Sequence, residues 1–228
     1  MAITEAKADL YEAFATSGKA LGSGKRLELL DLLAQGERTV EALASTAGLN
    51  LTTASAHLQT LKKAGFVRTR RDGVRIHYRL AGEDVAQLLA LLRKVAENHR
   101  TEVGAARDAY LGPDADPGEV ARQELVDQIE DGRAIVLDVR PAEEYHAGHI
   151  PGALSIPIDL LPERIDDLPD DVDVVVYCRG EYCVLAYDAV RMLTTRGRRA
   201  IRLQDGMLEW RLADMPVTKE STASHYSA

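Results

Sequence analysis

Apolar residues recur at helical spacing through the first part of the chain, then alternate with polar ones, and later gather into unbroken runs. Over residues 5–21, Ala6, Leu10, Ala13, Phe14 and Leu21 predict an amphipathic helix, which Gly22 and Gly24 interrupt. Residues 26–34 predict a second helix, stopped by Gly36. Thr39 then caps a short helix ending at Gly48, and Asn50 caps another that ends at Gly65, so two short helices meet at a Gly-Leu-Asn turn. Beyond Gly65 the period drops to two: "FVRTRR" and "VRIHYRL" flank Arg71, Asp72 and Gly73, which predicts a β-hairpin with an Asp-Gly turn. From residue 83 to about 107 the helical period returns. Val85, Leu88, Leu89, Leu91, Leu92 and Val95 form an apolar face wider than one small domain covers, which points to a dimer interface shared with the first helix.

The stretch 111–118, "LGPDADPG", is dense in turn formers and is expected to be a linker. After it, "EVARQELVDQI" has a helical pattern, "AIVLDVR" and "DVVVYC" are buried-strand runs, a helix begins near Val184, and "AIRLQDG" is a further strand. Strand, crossover helix and strand at this spacing predict a parallel α/β sheet with helices on both faces. The expected organisation is a mainly-α domain over 1–110, an α/β domain over 119–217 and a flexible tail over 218–228. With 228 residues there is material for two separate cores.

Charge divides along the same line. Residues 1–110 carry 16 Lys and Arg against 13 Asp and Glu, while the remainder carries 12 against 23, within a chain of net charge −8. Residues 50–80 hold seven basic side chains and a single acid, Asp72, a local excess that fits a polyanion footprint or, more blandly, a solvated face. No run is long and apolar enough for a membrane span, and the first residues lack the layout of a signal peptide, so a cytoplasmic protein is expected.

The order of helices, turn, capped helix and hairpin resembles a winged helix-turn-helix, and "TVEALASTAGLNLTTASAHLQTLKKAGFVRTRRDGVRIHYRL" is similar to the ArsR/SmtB family of dimeric repressors over residues 13–102. The resemblance implies that the helix from Leu51 enters the major groove of operator DNA while the hairpin flanks it. With Ala54, Leu58 and Leu61 on the inner face, Thr52, Thr53, Ser55, Ala56 and Gln59 point outward toward DNA. His57 lies at the boundary, where a packed core histidine is the alternative; Lys62, Lys63, Arg71 and Arg75 are expected at phosphates, with plain solubility as theirs. A twofold dimer implies a roughly palindromic operator. Where metal-sensing members of the family place ligands, this chain has Thr39, Glu41, Ala86 and Glu97, with His99 alone, so no metal or other cofactor is expected.

The only cysteines are Cys178 and Cys183, in "YCRGEYCV". Two cysteines alone are compatible with a metal clip, a disulfide staple or a reactive thiol. A reducing compartment lowers the staple, and the want of two further ligands lowers the clip. Nearby, "LDVRPAEEYHAGHIPGALSIPI", with Asp138, Arg140, Glu144 and Tyr145, and later "LQDGMLEWRLADMPV", are similar to the two signatures of rhodanese-like domains, a resemblance covering residues 119–217.

That resemblance puts Cys178 where the family holds its catalytic cysteine, in a loop with Arg179, Gly180, Glu181, Tyr182, Cys183 and Val184. A cysteine between a strand end and a helix N-terminus, with Arg179 as a neighbouring cation, has its pKa drawn from about 8.5 toward neutrality. Asp138 and Arg140 are expected to be a structural pair, and His149 to anchor the "GHIPGA" turn. Cys183 stands where the family often has an arginine, and Glu181 brings negative charge, which disfavours thiosulfate. Cys183 is then either a resolving thiol for a modified Cys178 or a small residue opening the helix.

The expectation from these readings is a DNA-binding regulator whose rhodanese-like domain senses reactive sulfur or oxidant through Cys178. The alternatives are a working sulfurtransferase, or an arsenate-handling enzyme acting on an oxyanion, that controls its own operon, and a rhodanese-like domain that serves only for docking.

Overall fold

The computed structural model describes residues 2–112 and 118–220. It divides into two compact units, one up to Leu92 and one from Arg93 onward.

The first unit contains α1 (Ala2–Leu21), α2 (Gly24–Ala34), β1 (Arg38–Thr39), α3 (Val40–Thr46), α4 (Leu51–Lys63), β2 (Val67–Asp72) and β3 (Arg75–Leu80), and it opens α5 (Glu83–His99). Both predicted caps are made: Thr39 Oγ1 accepts from the Ala42 N–H at 3.3 Å, and Asn50 Oδ1 from the Thr53 N–H at 2.8 Å. Each satisfies a donor that a helix start would otherwise leave unpaired. Leu29, Leu30, Leu43, Leu58 and Leu61 form the core with Tyr78. The three strands make an antiparallel sheet in the order β1-β3-β2.

Two details differ from the sequence reading. Asp72 pairs with Arg75, so the hairpin turns on Gly73 and Val74 rather than on Asp-Gly. Gly73, at φ 58°, takes the left-handed backbone that such a turn requires. The helix expected over 83–107 is two helices: α5 ends at His99, Arg100 adopts extended angles (φ −129°, ψ 105°), and α6 runs Thr101–Leu111. Asn98, His99, Thr101 and Gly104, all weak helix formers, cluster at this break. On α5, Val85 and Leu89 are buried, whereas Leu91 and Val95 are about half exposed, as are Leu10, Tyr11 and Phe14 of α1.

After α6 the second unit continues with β4 (Glu119–Val120), α7 (Arg122–Glu130), β5 (Ala134–Asp138), α8 (Ala142–Ala147), β6 (Leu154–Ser155), α9 (Leu161–Arg164), a 3-10 turn over Ile165–Asp167, β7 (Asp173–Tyr177), α10 (Val184–Thr195), β8 (Ala200–Leu203) and α11 (Met207–Leu212). The start of the expected first helix is thus a strand. All five strands are parallel, in the order β4-β8-β7-β5-β6, which sets β7 at the centre.

Alternation along β7 feeds both cores. Val174, Val176 and Cys178 join Leu137, Leu161, Val190 and Leu193 on the α9 and α10 side. Val175 and Tyr177 join Leu125, Leu203 and Trp210 on the α7 and α11 side. The parity of the strand therefore decides which face the cysteine meets. Of the expected linker, 113–117 lie outside the described residues, and α6 carries helix through buried Leu111. Of the expected tail, Thr218 pairs with His149 and the Glu220 N–H bonds the His146 carbonyl, whereas 221–228 lie outside the described residues.

Candidate functional site

The loop between β7 and α10 carries both cysteines. Cys178 is the first residue beyond β7 and is 2 % exposed; Cys183 is the N-cap residue of α10 and half-buried. A disulfide joins them, with their Cα atoms 6.1 Å apart. The structure thus contains the covalent pair that a reducing compartment was expected to disfavour. The reason is local: five residues of separation and one tight turn put the two sulfurs in reach of each other, with no long loop to close. It is Cys183, rather than Cys178, that stands directly at the N-terminus of α10.

The loop backbone is tied on three sides. The Met207 N–H bonds the Cys178 carbonyl at 2.9 Å and the Leu208 N–H bonds that of Arg179 at 3.1 Å, so the start of α11 grips the loop. The Cys183 N–H closes the turn onto Gly180 O at 3.0 Å, and the Tyr187 hydroxyl donates to Glu181 O at 3.2 Å. Gly180 and Gly206 meet so closely that a Cβ on Gly206 would stand 2.1 Å from the Gly180 nitrogen.

Arg179 was expected as a cation beside the sulfur. Its guanidinium instead forks onto Glu144 of α8, Nε at 2.9 Å and Nη2 at 2.6 Å from Oε1, and Glu144 is 1 % exposed. A charge engaged by a buried carboxylate acts far less on a neighbouring thiol. Glu181 is exposed, and Tyr182 is half-buried. Burial raises the pKa of the Tyr182 hydroxyl above its ordinary value, and its hydrogen bond to Glu97 raises it further.

Beneath the loop, Asp138 and Arg140 pair at 2.6 Å, both fully buried, and Arg140 Nη2 also donates to Gly148 O at 2.8 Å. Burial alone disfavours the Arg140 charge, but the hydrogen bond and charge of Asp138 outweigh it and hold the group above its ordinary value. The Tyr177 hydroxyl donates to Asp138 Oδ2, and burial, followed by the Asp138 charge, pushes that phenol well above its usual range. His149 is 3 % exposed; its Nδ1 lies 2.9 Å from Tyr145 O and its ring stacks on Tyr145 at 3.7 Å. Sequence reasoning missed three participants: Tyr177, hidden in an apolar run, Gly206, and Glu209, whose half-buried carboxyl accepts from the Gly206 N–H at 3.0 Å.

In the first unit, Thr52 and Gln59 of α4 are exposed, Thr53, Ser55 and His57 are half-buried, and Ala54, Leu58 and Leu61 are buried. Lys62, Lys63, Arg71 and Arg75 are exposed. Gln59 Nε2 donates to the Tyr78 hydroxyl at 2.9 Å, and Lys62 Nζ to Thr69 Oγ1 at 2.9 Å. Thr39 and Glu41, at positions where metal-sensing relatives hold ligands, cap and open α3. Among the described residues no cluster of three His, Cys, Asp or Glu could hold a metal ion, and no helix is long and apolar enough to cross a membrane.

Comparison with known proteins agrees with both halves. Residues 21–70 match a helix-turn-helix domain model and residues 121–213 a rhodanese-like domain model. Over 97 % of its length, and 97 % of the relative's, the chain is 53 % identical to the HTH-type transcriptional regulator Rv0324 of Mycobacterium tuberculosis. The chain belongs to the HTH-type transcriptional regulators that carry a rhodanese-like domain. The regulator's second half is also 33 % identical over 101 residues to a sulfurtransferase of Allochromatium vinosum, covering 43 % of this chain and 92 % of that protein. Its first half is 58 % identical to the homodimeric winged helix-turn-helix DNA-binding domain of Mb0332 from Mycobacterium bovis, over 42 % of this chain and 89 % of that one, with a TM-score of 0.40.

Proposed function

We propose that this regulator binds operator DNA as a homodimer through α4 and the β2–β3 hairpin, and that Cys178 and Cys183 switch its DNA affinity in response to reactive sulfur or oxidant. The observation that carries the reading is the disulfide within a single loop, joining a buried strand-end cysteine to the N-cap of α10. Such a pair can interconvert between dithiol and disulfide by thiol–disulfide exchange.

The chemistry balances with a small persulfide as donor. The Cys178 thiolate attacks the outer sulfur of RS–SH, forming a Cys178 persulfide and releasing RS⁻. The Cys183 thiolate then attacks the Cys178 sulfur, forms the disulfide and expels hydrosulfide. The donor is reduced and the two thiols are oxidised. Arg179, engaged by Glu144, and exposed Glu181 make the loop a poor seat for a dianion, which favours persulfides over thiosulfate or arsenate. The half-exposed apolar residues on α1 and α5 suit a second copy of the chain.

A gel-shift titration of reduced and polysulfide-treated protein tests the switch, with mass spectrometry following the cysteines. The expected result is a change in DNA affinity with the disulfide, a persulfide trapped on Cys178 in Cys183→Ser, and no response in Cys178→Ser. Equal affinity of the two states, with the disulfide verified, overturns it.

A second reading, sulfur transfer as the main task of the domain, draws on the similarity to the A. vinosum sulfurtransferase. It requires steady turnover from a persulfide donor to cyanide or a thiol, lost in Cys178→Ser, with DNA binding indifferent to the donor.

A further inference from the structure

Gln59 and Lys62 stand three residues apart on α4, so they share a face one turn from each other. Gln59 reaches Tyr78 at 2.9 Å and Lys62 reaches Thr69 at 2.9 Å. Thr69 and Tyr78 are themselves direct partners across the β2–β3 ladder, so their side chains leave the same face of the hairpin. Two adjacent residues of the helix therefore meet one cross-strand pair of the hairpin.

The anchor is firm on the hairpin side. Tyr78 is 2 % exposed and belongs to the core of the unit, packed with Leu58 and Leu61 from the inner face of α4. An amide that reads adenine must present its oxygen and nitrogen together, in plane, to the base edge. The Gln59 nitrogen is directed to a core tyrosine instead. The N-terminal turns of α4 have no such tie to the hairpin: Thr52 is exposed and Ser55 half-buried on the stripe that Gln59 continues.

We infer that Gln59, through Tyr78, is a positioning residue that sets the angle between the recognition helix and the hairpin, and that base reading falls to the N-terminal half of α4, at Thr52, Thr53, Ser55 and Ala56. Lys62 serves the same lock through Thr69. The inference rests on the DNA-binding reading above and reassigns two of its expected contacts, Gln59 and Lys62.

A duplex enriched from a random-sequence pool by the full-length wild-type protein is the probe. Tyr78→Phe removes only the hydroxyl and keeps the ring in the core; Gln59→Leu removes the amide from the helix surface. Loss of the shared bond is expected to weaken binding of that duplex about fivefold in either variant, the scale of one net hydrogen bond. The double variant falls no further than either single one, because both remove the same bond. Re-selection with Gln59→Leu enriches the same sequence as the wild type.

Wild-type affinity in Tyr78→Phe, or a changed base at one position after re-selection with Gln59→Leu, overturns the inference and leaves DNA binding standing. A wild-type protein that enriches no sequence overturns the DNA-binding reading, and this inference with it. Thermal melts of each variant confirm that the fold persists, and a matching loss in Thr69→Val, which breaks the bond but keeps the Lys62 charge, supports the second strut of the lock.

Discussion

Arg179 and Glu144 form a two-pronged ion pair beside the cysteine loop, with Glu144 almost wholly removed from solvent. Replacing one member strands the other in a poorly solvated place. Glu144→Ala is expected to destabilise the second unit by roughly 3 kcal/mol, read by urea denaturation. In a reduced Cys183→Ser background, Glu144→Gln is expected to lower the Cys178 thiol pKa, because the Arg179 charge is no longer balanced. A titration of thiolate absorbance checks the direction.

Gly206→Ala should disturb the loop by contact alone. The backbone angles at Gly206, φ −118° and ψ −169°, are ones any residue adopts, but the new Cβ would stand 2.1 Å from Gly180 N and 2.2 Å from Gly180 Cα. Neither atom is the end of a flexible side chain, so the loop and α11 must separate. The expected cost is about 1–3 kcal/mol or more, with faster alkylation of Cys178 in the reduced protein. Gly18→Ala, with nothing within 4 Å, is the control and should be neutral or mildly stabilising.

Glu209 makes a pH prediction. Burial raises its pKa above the ordinary carboxylate value, against the opposing hydrogen bonds from its own N–H and that of Gly206. The folded state therefore holds this proton more tightly than the unfolded chain. Its stabilising contribution is complete below the unfolded pKa and is lost as pH rises through the folded one. Glu209→Gln, which keeps an acceptor for Gly206, should be more stable than the wild type at pH 8, and the gap should close on acidification. Urea titrations at several pH values give the curve.

Asn50→Ala should cost the first unit about 1 kcal/mol, since its side chain caps α4 through the Thr53 N–H at 2.8 Å. Asn50→Asp should recover most of the loss. Differential scanning calorimetry of the two variants separates the cap from any general surface effect.

Much of this was legible in the residue pattern because the causes are local. Thr39 and Asn50 announce their helices by chemistry that acts within three residues, and the apolar run ending at Tyr177 announces β7. The hairpin was misplaced by one residue because Asp-Gly and Gly-Val can each supply a turn, and only the Asp72–Arg75 pairing decides between them. The Arg179–Glu144 bridge joins residues from different elements, and the Gly180–Gly206 contact depends on how α11 docks. No periodicity encodes such meetings. For the same reason the α4–hairpin lock was invisible: Gln59 and Lys62 looked outward on a helical wheel, which carries no information about the strand lying alongside.

The sheet order also bears on how the chain assembles as it leaves the ribosome. The three strands up to Leu80 pair only with one another, so the helix-turn-helix fold can close before the second unit is synthesised. Strand β4, by contrast, finds its partner only in β8, close to the other end of its unit. Nascent chains will therefore expose an unfinished parallel sheet, with both cysteines already synthesised, until the last strand arrives. Oxidation during that interval would trap the thiols before α11 grips their loop.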